Sequence, residues 1–278
     1  MSEPESLEDD GLYTPVVGSW SDVKYRLISN YAEMFSTSMR KKWGKRVYID
    51  LFAGAGRAAI KDTKEIVETS SLLAMSVTHP FDRYVLCDSE AQCIDALRAR
   101  VGNQYPSHDV SYLTGDCNSM VDEVLKQVPS FSKNCRVLSF CVVDPFNVGN
   151  LKFETIRKLS QIYADFLVLI PSHMDAHREQ VAYLDSKNTA IADFVGRPHW
   201  RNDHHGYRKQ FGTFIVDQFG QSMMDLGFIY EGPGTEVLVR LPKKNVKLYY
   251  LAFFSKSKLG MKFWNEAQKY SDDQMRLF

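Results

Sequence analysis

The sequence predicts an α/β fold, doubly wound and mostly parallel, with an antiparallel hairpin at its C-terminal edge. Three observations predict it. Five short apolar runs alternate with segments of helical periodicity between residues 46 and 170; that alternation is the pattern of βαβ units with right-handed crossovers. Polar residues, mostly acids, follow the first four runs. Two further strand-like runs near the end, 236–241 and 247–254, are joined by the turn-like Pro242 to Asn245.

Taken in order, residues 1–18 carry Pro4, Gly11, Pro15 and Gly18 as breakers and read as a loose tail. An N-terminal helix follows within 19–44: with Ser19 or Ser21 as cap, Trp20, Val23, Leu27, Tyr31 and Met34 recur at helical spacing, to about Met39. The domain proper, 45–278, opens with a strand from Arg46 to Phe52 that breaks at Gly54-Ala55-Gly56. Ser70 to Thr78 reads as helix, Tyr84 to Cys87 as strand, and 90–104 as helix with Ile94, Leu97 and Val101 on one face. Val110 to Leu113 is a short strand, and Val121, Val124, Leu125 and Val128 mark the helix after it. Val137 to Val143 is almost wholly apolar, as a strand covered on both faces must be. Phe153 to Tyr163 reads as helix and Phe166 to Ile170 as the fifth strand. Between 171 and 226 the strand signal gives way to helical stretches and a histidine-rich segment, an insertion on the sheet. An apolar helix around Phe263 and Trp264 closes the chain.

The 278 residues exceed the usual single-domain length, and 44% hydrophobic against 24% charged is a globular balance. Thirty-four basic and 34 acidic residues cancel, so a polyanion partner has to be met by a local patch. No apolar run approaches the roughly 20 residues of a membrane span. The acidic stretch Met1 to Asp10 lacks the layout of a secretory signal. Both points lead to the expectation of a soluble, cytoplasmic protein. Five cysteines, at 87, 93, 117, 135 and 141, are odd in number and without a C-x-x-C pair. They read as buried thiols and not as a disulfide or metal framework.

Ligands of open parallel sheets sit beyond the carboxyl ends of the strands, where the order reverses. The polar residues placed there are Asp50 with Gly54 and Gly56, then Asp88, Gly115-Asp116, and Asp144-Pro145-Phe146. Each acid could simply cap the next helix; four on one rim are harder to explain that way. Gly54 to Ala59 fits the G-x-G-x-x-A dinucleotide form, but the acid expected about 20 residues on is absent, where Leu73-Ala74-Met75-Ser76 stands. No Gly-Lys-Ser/Thr follows, which excludes a Walker-type loop.

An acid and a glycine pair after strand one, acids after strands two and three, and Asp-Pro-Phe after strand four resemble the class I S-adenosylmethionine-dependent methyltransferases, and with them a Rossmann-like sheet. The resemblance implies S-adenosylmethionine as cofactor, held by Asp50, Phe52, Gly54, Gly56, Asp88, Asp116 and Cys117. Asp88 would take the ribose hydroxyls and Asp116 the adenine. From Tyr48 to about Asn265 the chain is also similar to the three-Cys-motif partner family (TcmP), on the motifs Tyr48-Ile49-Asp50-Leu51-Phe52-Ala53-Gly54-Ala55-Gly56-Arg57, Gly115-Asp116-Cys117-Asn118, Val143-Asp144-Pro145-Phe146 and Leu248-Tyr249-Tyr250-Leu251. Membership implies a radical-SAM-like partner protein bearing three cysteines. This chain departs from that family at Thr69-Ser70-Ser71, where Gly-Ser-Pro is usual.

Asp144-Pro145-Phe146 further resembles the Asp/Asn-Pro-Pro-aromatic box of methyltransferases that act on base amino groups, with the aromatic one position early and one proline absent. Asp144, Pro145 and Phe146 are therefore the expected catalytic residues. Arg40 to Arg46 packs five cations into seven residues. Arg197, Trp200, Arg201, Tyr207, Arg208 and Lys209 interleave cations with rings inside the insertion, a composition suited to phosphate contact and base stacking. His173 and His177 stand at i, i+4 without a third metal ligand at a telling distance, so no metal is expected. The leading expectation is methyl transfer from S-adenosylmethionine to nucleic acid. The competing one is a non-catalytic adaptor of the three-Cys partner, and an NAD-dependent oxidoreductase comes third.

Overall fold

The computed structural model describes residues 7–176, 179–205, 210–230, 232, 236–241 and 246–275. In chain order it begins with β1 (Val16–Val17), α1 (Ser21–Met39), β2 (Lys45–Asp50), β3 (Arg57–Ile60), β4 (Ile66–Glu68) and α2 (Ser70–Met75). There follow β5 (Arg83–Asp88), α3 (Ala91–Gln104), β6 (Val110–Thr114), α4 (Cys117–Gln127), β7 (Val137–Val143), α5 (Phe153–Leu159) and β8 (Ala164–Ile170). The insertion holds α6 (Gln180–Leu184), α7 (Ala190–Val195), α8 (Trp200–His204) and α9 (Phe211–Asp225); β9 (Val237–Leu241), β10 (Val246–Phe254) and α10 (Lys258–Met275) complete the chain.

The main sheet has seven strands in the order β6-β5-β2-β7-β8-β10-β9. Six run in one direction, and β10 alone is reversed, antiparallel to both β8 and β9. Renumbered within the sheet the order is 3-2-1-4-5-7-6, the Rossmann-like arrangement of class I methyltransferases. The chain reverses direction across the sheet between β2 and β7, so the ends of those two strands, Asp50 and Val143, border the switch point where such sheets place their ligands.

Both faces of the sheet are covered. One face carries Val47, Ile49, Val85, Cys141, Phe166 and Val168 against α4, α5, α7 and α9. The other carries Tyr48, Tyr84, Phe140, Leu167 and Leu251 against α1, α2, α3 and α10. Alternate residues of one strand thus serve opposite cores, which is why the central strands are apolar over most of their length. Tyr31 of α1 packs its ring 4.6 Å from Phe253 and 6.2 Å from Trp264, joining the first helix to the last.

The N-terminal segment is not the loose tail that its breakers predict, at least from Leu7 onward. Val16–Val17 pairs in parallel with Arg57–Ile60, and β4 completes a small second sheet. Arg100, 1% exposed in α3, supplies the reason. Its guanidinium donates to the Asp10 carboxylate at 2.7 and 2.8 Å, to Thr14 Oγ1, and to the carbonyls of Tyr13 and Ala55. A buried guanidinium must find such partners, and here it finds them in the tail. The Arg100 hydrogen bonds hold the Asp10 carboxyl down at about 2, against the opposing pull of burial.

Candidate cofactor and acceptor site

A cavity of about 540 Å³ opens at the carboxyl ends of β2 and β7. That volume lies within the range of small-molecule sites. Its floor is the Phe52 to Ala55 turn with Thr69 and Ser70, one wall is Asp144 to Phe146, and Pro15 to Trp20 form the roof. Lys24 and Tyr25 from α1 and Leu248 and Tyr249 from β10 close the remaining side.

The turn after β2 is built by local chemistry. Asp50, wholly buried, accepts from the Phe52 amide at 3.2 Å and from the Tyr48 hydroxyl at 3.1 Å. Burial raises its carboxyl to about 6 in spite of these donors. Asp88 accepts from the Gly54 amide at 2.8 Å and from the Glu90 amide at 2.9 Å, so it ties the turn to the end of β5. Gly54 has φ +61° and nothing within 4 Å of the point where a Cβ would stand. At Gly56, with φ +80°, a Cβ would meet Leu97 at 2.8 Å and Leu72 at 3.1 Å. The first glycine leaves room for a ligand, whereas the second lets α2 and α3 close up beneath it.

Asp144 forms an ion pair with Lys24, whose side chain is 10% exposed. Burial opposes the charge on Lys24, but the Asp144 carboxylate beside it wins and holds the ammonium above its ordinary value. Phe146 stands 77% exposed at the cavity, which exposed Val16 also lines. The Thr69 hydroxyl is buried and has no hydrogen-bond partner among the described residues.

Of the expected site residues the structure gathers Phe52, Gly54, Asp144, Pro145 and Phe146 around one cavity. The others stand elsewhere. Asp50 lies under the floor and Gly56 faces the core. Asp116 is exposed and caps α4, accepting from the Ser119 amide at 3.3 Å. The Cys117 thiol turns inward to the Asn150 carbonyl and the core, and burial pushes it up to about 12. Lys24, Tyr25, Thr69, Ser70 and Tyr249 belong to the site without having been expected there. Lys24 does carry a signal, as a cation set among the apolar positions of α1; its pairing with Asp144, 120 residues away, carries none.

The described members of the cationic and aromatic set, Arg197, Trp200 and Arg201, do not form the expected surface. Trp200 is 0% exposed and packs on Phe211 and Phe214, so its ring is closed to a stacked base. Arg201 lies 4.6 Å over that ring and donates to the carbonyls of Tyr183, Leu184, Asp185 and Asn188. Arg197 is held by Ser222 and Asp225. All three build the insertion, whose short helices leave carbonyls that need donors. Tyr207, Arg208, Lys209 and His177 lie outside the described residues. His173 packs near Tyr250 and contacts Ser172. Among the described residues no group of side chains could hold a metal ion, and no helix is long and apolar enough to cross a membrane.

The sequence matches no known family profile and no curated protein. Solved structures do resemble it in fold. The O-methyltransferase TomG from Streptomyces achromogenes, solved in complex with SAM, aligns at 10% identity over 91% of this chain and 92% of its own, with a TM-score of 0.43. Trm1 from Pyrococcus horikoshii, solved with S-adenosyl-L-methionine, aligns at 10% identity over 89% of this chain, with a TM-score of 0.44. This chain spans only 57% of the length of Trm1.

Proposed function

We propose that this protein is an S-adenosylmethionine-dependent methyltransferase whose acceptor is a flat, ring-bearing group, a base amino group of nucleic acid being the reading that Asp144-Pro145-Phe146 supports. The observation that carries it is the open space over Gly54 facing the Asp144 carboxylate within one cavity at the switch point. The donor set fits the cofactor. Backbone without a Cβ permits close approach, the partnerless Thr69 hydroxyl offers a hydrogen bond, and the carboxylates of Asp50 and Asp144 favour a cation. Gly54, Thr69 and Ser70 would hold it, with Asp88 fixing the turn.

S-adenosylmethionine, when bound, supplies a sulfonium methyl group for in-line displacement by the acceptor. The protein's own part is to bind and orient. Phe146 offers an exposed face on which a planar acceptor stacks. Asp144 accepts a hydrogen bond from the acceptor N–H and takes up the proton it sheds, while Lys24 fixes that carboxylate in direction. Tyr25 and Tyr249, both buried, exclude water from the inner wall. Positioning of this kind supplies most of the rate in such a displacement.

The test is transfer of labelled methyl onto pooled tRNA, rRNA and DNA, with and without a three-Cys-motif protein, the partner that the proposal retains from the family resemblance. Transfer lost in Asp144→Ala supports the reading. S-adenosylhomocysteine binding with no transfer to any pool makes the chain an adaptor, and no cofactor binding at all overturns the reading.

A further inference from the structure

The pole of the sheet opposite the cavity carries a second surface. β2, β7 and β8 all begin there, and the segments leading into them meet: the Gly44 and Lys45 amides donate to the Arg136 carbonyl, and Arg136 donates back to the Lys42 carbonyl at 2.6 Å. Three rings line up across these segments. Trp43 lies 5.8 Å from Tyr163, and Tyr163 lies 4.9 Å from Phe131. Tyr163 is 53% exposed and Phe131 48%. Large rings left half in water next to one another are unusual on a soluble surface and mark contact sites.

The charge around the rings has one sign. Lys41, Lys42, Lys45, Lys133 and Arg136 are exposed, and the Arg136 guanidinium lies 5.6 Å over the Trp43 ring. Segments 39–46, 129–137 and 159–164 contain no acid. Among the described residues none of these five cations has an ion-pair partner. Arg46, the one cation of this stretch that is buried, is already spent on Asp82 and on the carbonyls of Ser36 and Pro80. In a chain of zero net charge, five unpaired cations around an exposed ladder of rings form a local field that the whole-molecule charge conceals.

We infer that this basal pole is a binding surface for single-stranded nucleic acid, with Phe131, Tyr163 and Trp43 stacking on bases and the surrounding lysines and Arg136 contacting phosphates. The two features together select the partner. Cations alone suit any polyanion and exposed rings alone suit any apolar partner, whereas exposed rings set among cations suit a strand with its bases turned out. β7 runs for seven residues between this pole and Asp144, so the surface lies about 20 Å from the cavity. It acts as a grip on the strand and not as part of the reacting site, and it stands whether or not methyl transfer is the reaction.

The experiment is fluorescence anisotropy of the full chain with a labelled, unstructured oligonucleotide of about 15 nucleotides, in the absence of cofactor. Binding is expected at about 50 mM salt, weakening on the order of fifty-fold by about 200 mM as four or so phosphate contacts are screened. Phe131→Ala with Tyr163→Ala should weaken it by about tenfold or more without altering the salt slope. Lys41→Glu with Lys133→Glu should weaken it and flatten the slope, while Lys152→Glu, on the cavity side, should leave it unchanged. The charge-reversal pair, fully exposed, decides the matter if the aromatic pair misfolds. No binding at low salt overturns the inference, as does binding that Lys152→Glu weakens as much as the basal changes. So does displacement by poly-glutamate with no effect of removing the rings, which would make the surface a docking site for acidic protein.

Discussion

Lys24, in the first turn of α1, is paired with Asp144, the acid that follows β7, and both are largely withdrawn from water. Taking two charges out of water is costly, and their attraction offsets that only while both are present. The pair therefore joins the first helix to the switch point and fixes the direction of the carboxylate that lines the cavity.

Lys24→Met should destabilise the fold by about 3 kcal/mol, because it strands a part-buried carboxylate. Adding Asp144→Asn should restore more than half of the loss. Urea unfolding of the four members of the cycle measures this; a loss in the double variant equal to the sum of the two single losses would show that the two groups do not interact.

Stability should fall as pH rises through 6. Asp165 is buried and accepts from the Tyr31 hydroxyl at 2.7 Å, and burial lifts its carboxyl to about 6. A carboxyl raised in the folded state favours folding while protonated, so its contribution is complete below about 4 and lost above about 6. Across that window the change is up to about 3 kcal/mol. Asp165→Asn should remove much of the slope, as read from unfolding free energies at pH 5 and 7.5.

Affinity for S-adenosylmethionine should weaken on acidification below about 6, where Asp50 under the cavity floor takes a proton and ceases to favour a cation. Up to tenfold is lost per pH unit. Calorimetric titration of the wild type and of Asp50→Asn tests this; the variant should bind weakly at every pH, with the dependence gone.

Gly54→Ala should weaken binding of S-adenosylhomocysteine more than tenfold, since its methyl would occupy the open space over the turn. A residue at φ +61° also costs about 1 kcal/mol of stability. Gly227→Ala, at φ +83° with the same free space, is the control: similar destabilisation, unchanged affinity.

Trp200→Ala should cost about 3 to 5 kcal/mol through the cavity it leaves. Oligonucleotide affinity of the folded fraction should be unaltered. Thermal unfolding and anisotropy on one preparation separate the two effects.

The main sheet was legible because each strand is short, apolar and flanked by breakers. Val137–Val143 lies where its composition predicts, and α1 ends at Met39 as its periodicity predicts. The small sheet was not legible. Val16–Val17 is two residues long, and its pairing rests on a guanidinium in α3 that no local pattern reveals. For the site, acids at strand ends pointed to the edge of the sheet where the cavity opens, but of the four only Asp144 lines it. Asp116 follows the ordinary capping logic of its helix, whereas Asp144 is turned by a lysine distant in sequence. The insertion misled for a physical reason: Arg and Trp suit a nucleic-acid surface and a carbonyl-rich, loosely helical core equally well.

The clasp between Arg100 and Asp10 imposes an order of events on synthesis. The ceiling of the hollow leaves the ribosome before either of its fasteners: β3 follows some forty residues later, and the guanidinium that ties down Asp10 some ninety. Until then Pro15 to Val17 have only the short pairing with β3 to hold them, so a nascent chain halted before α3 should enclose the hollow weakly, however well its first helix has formed.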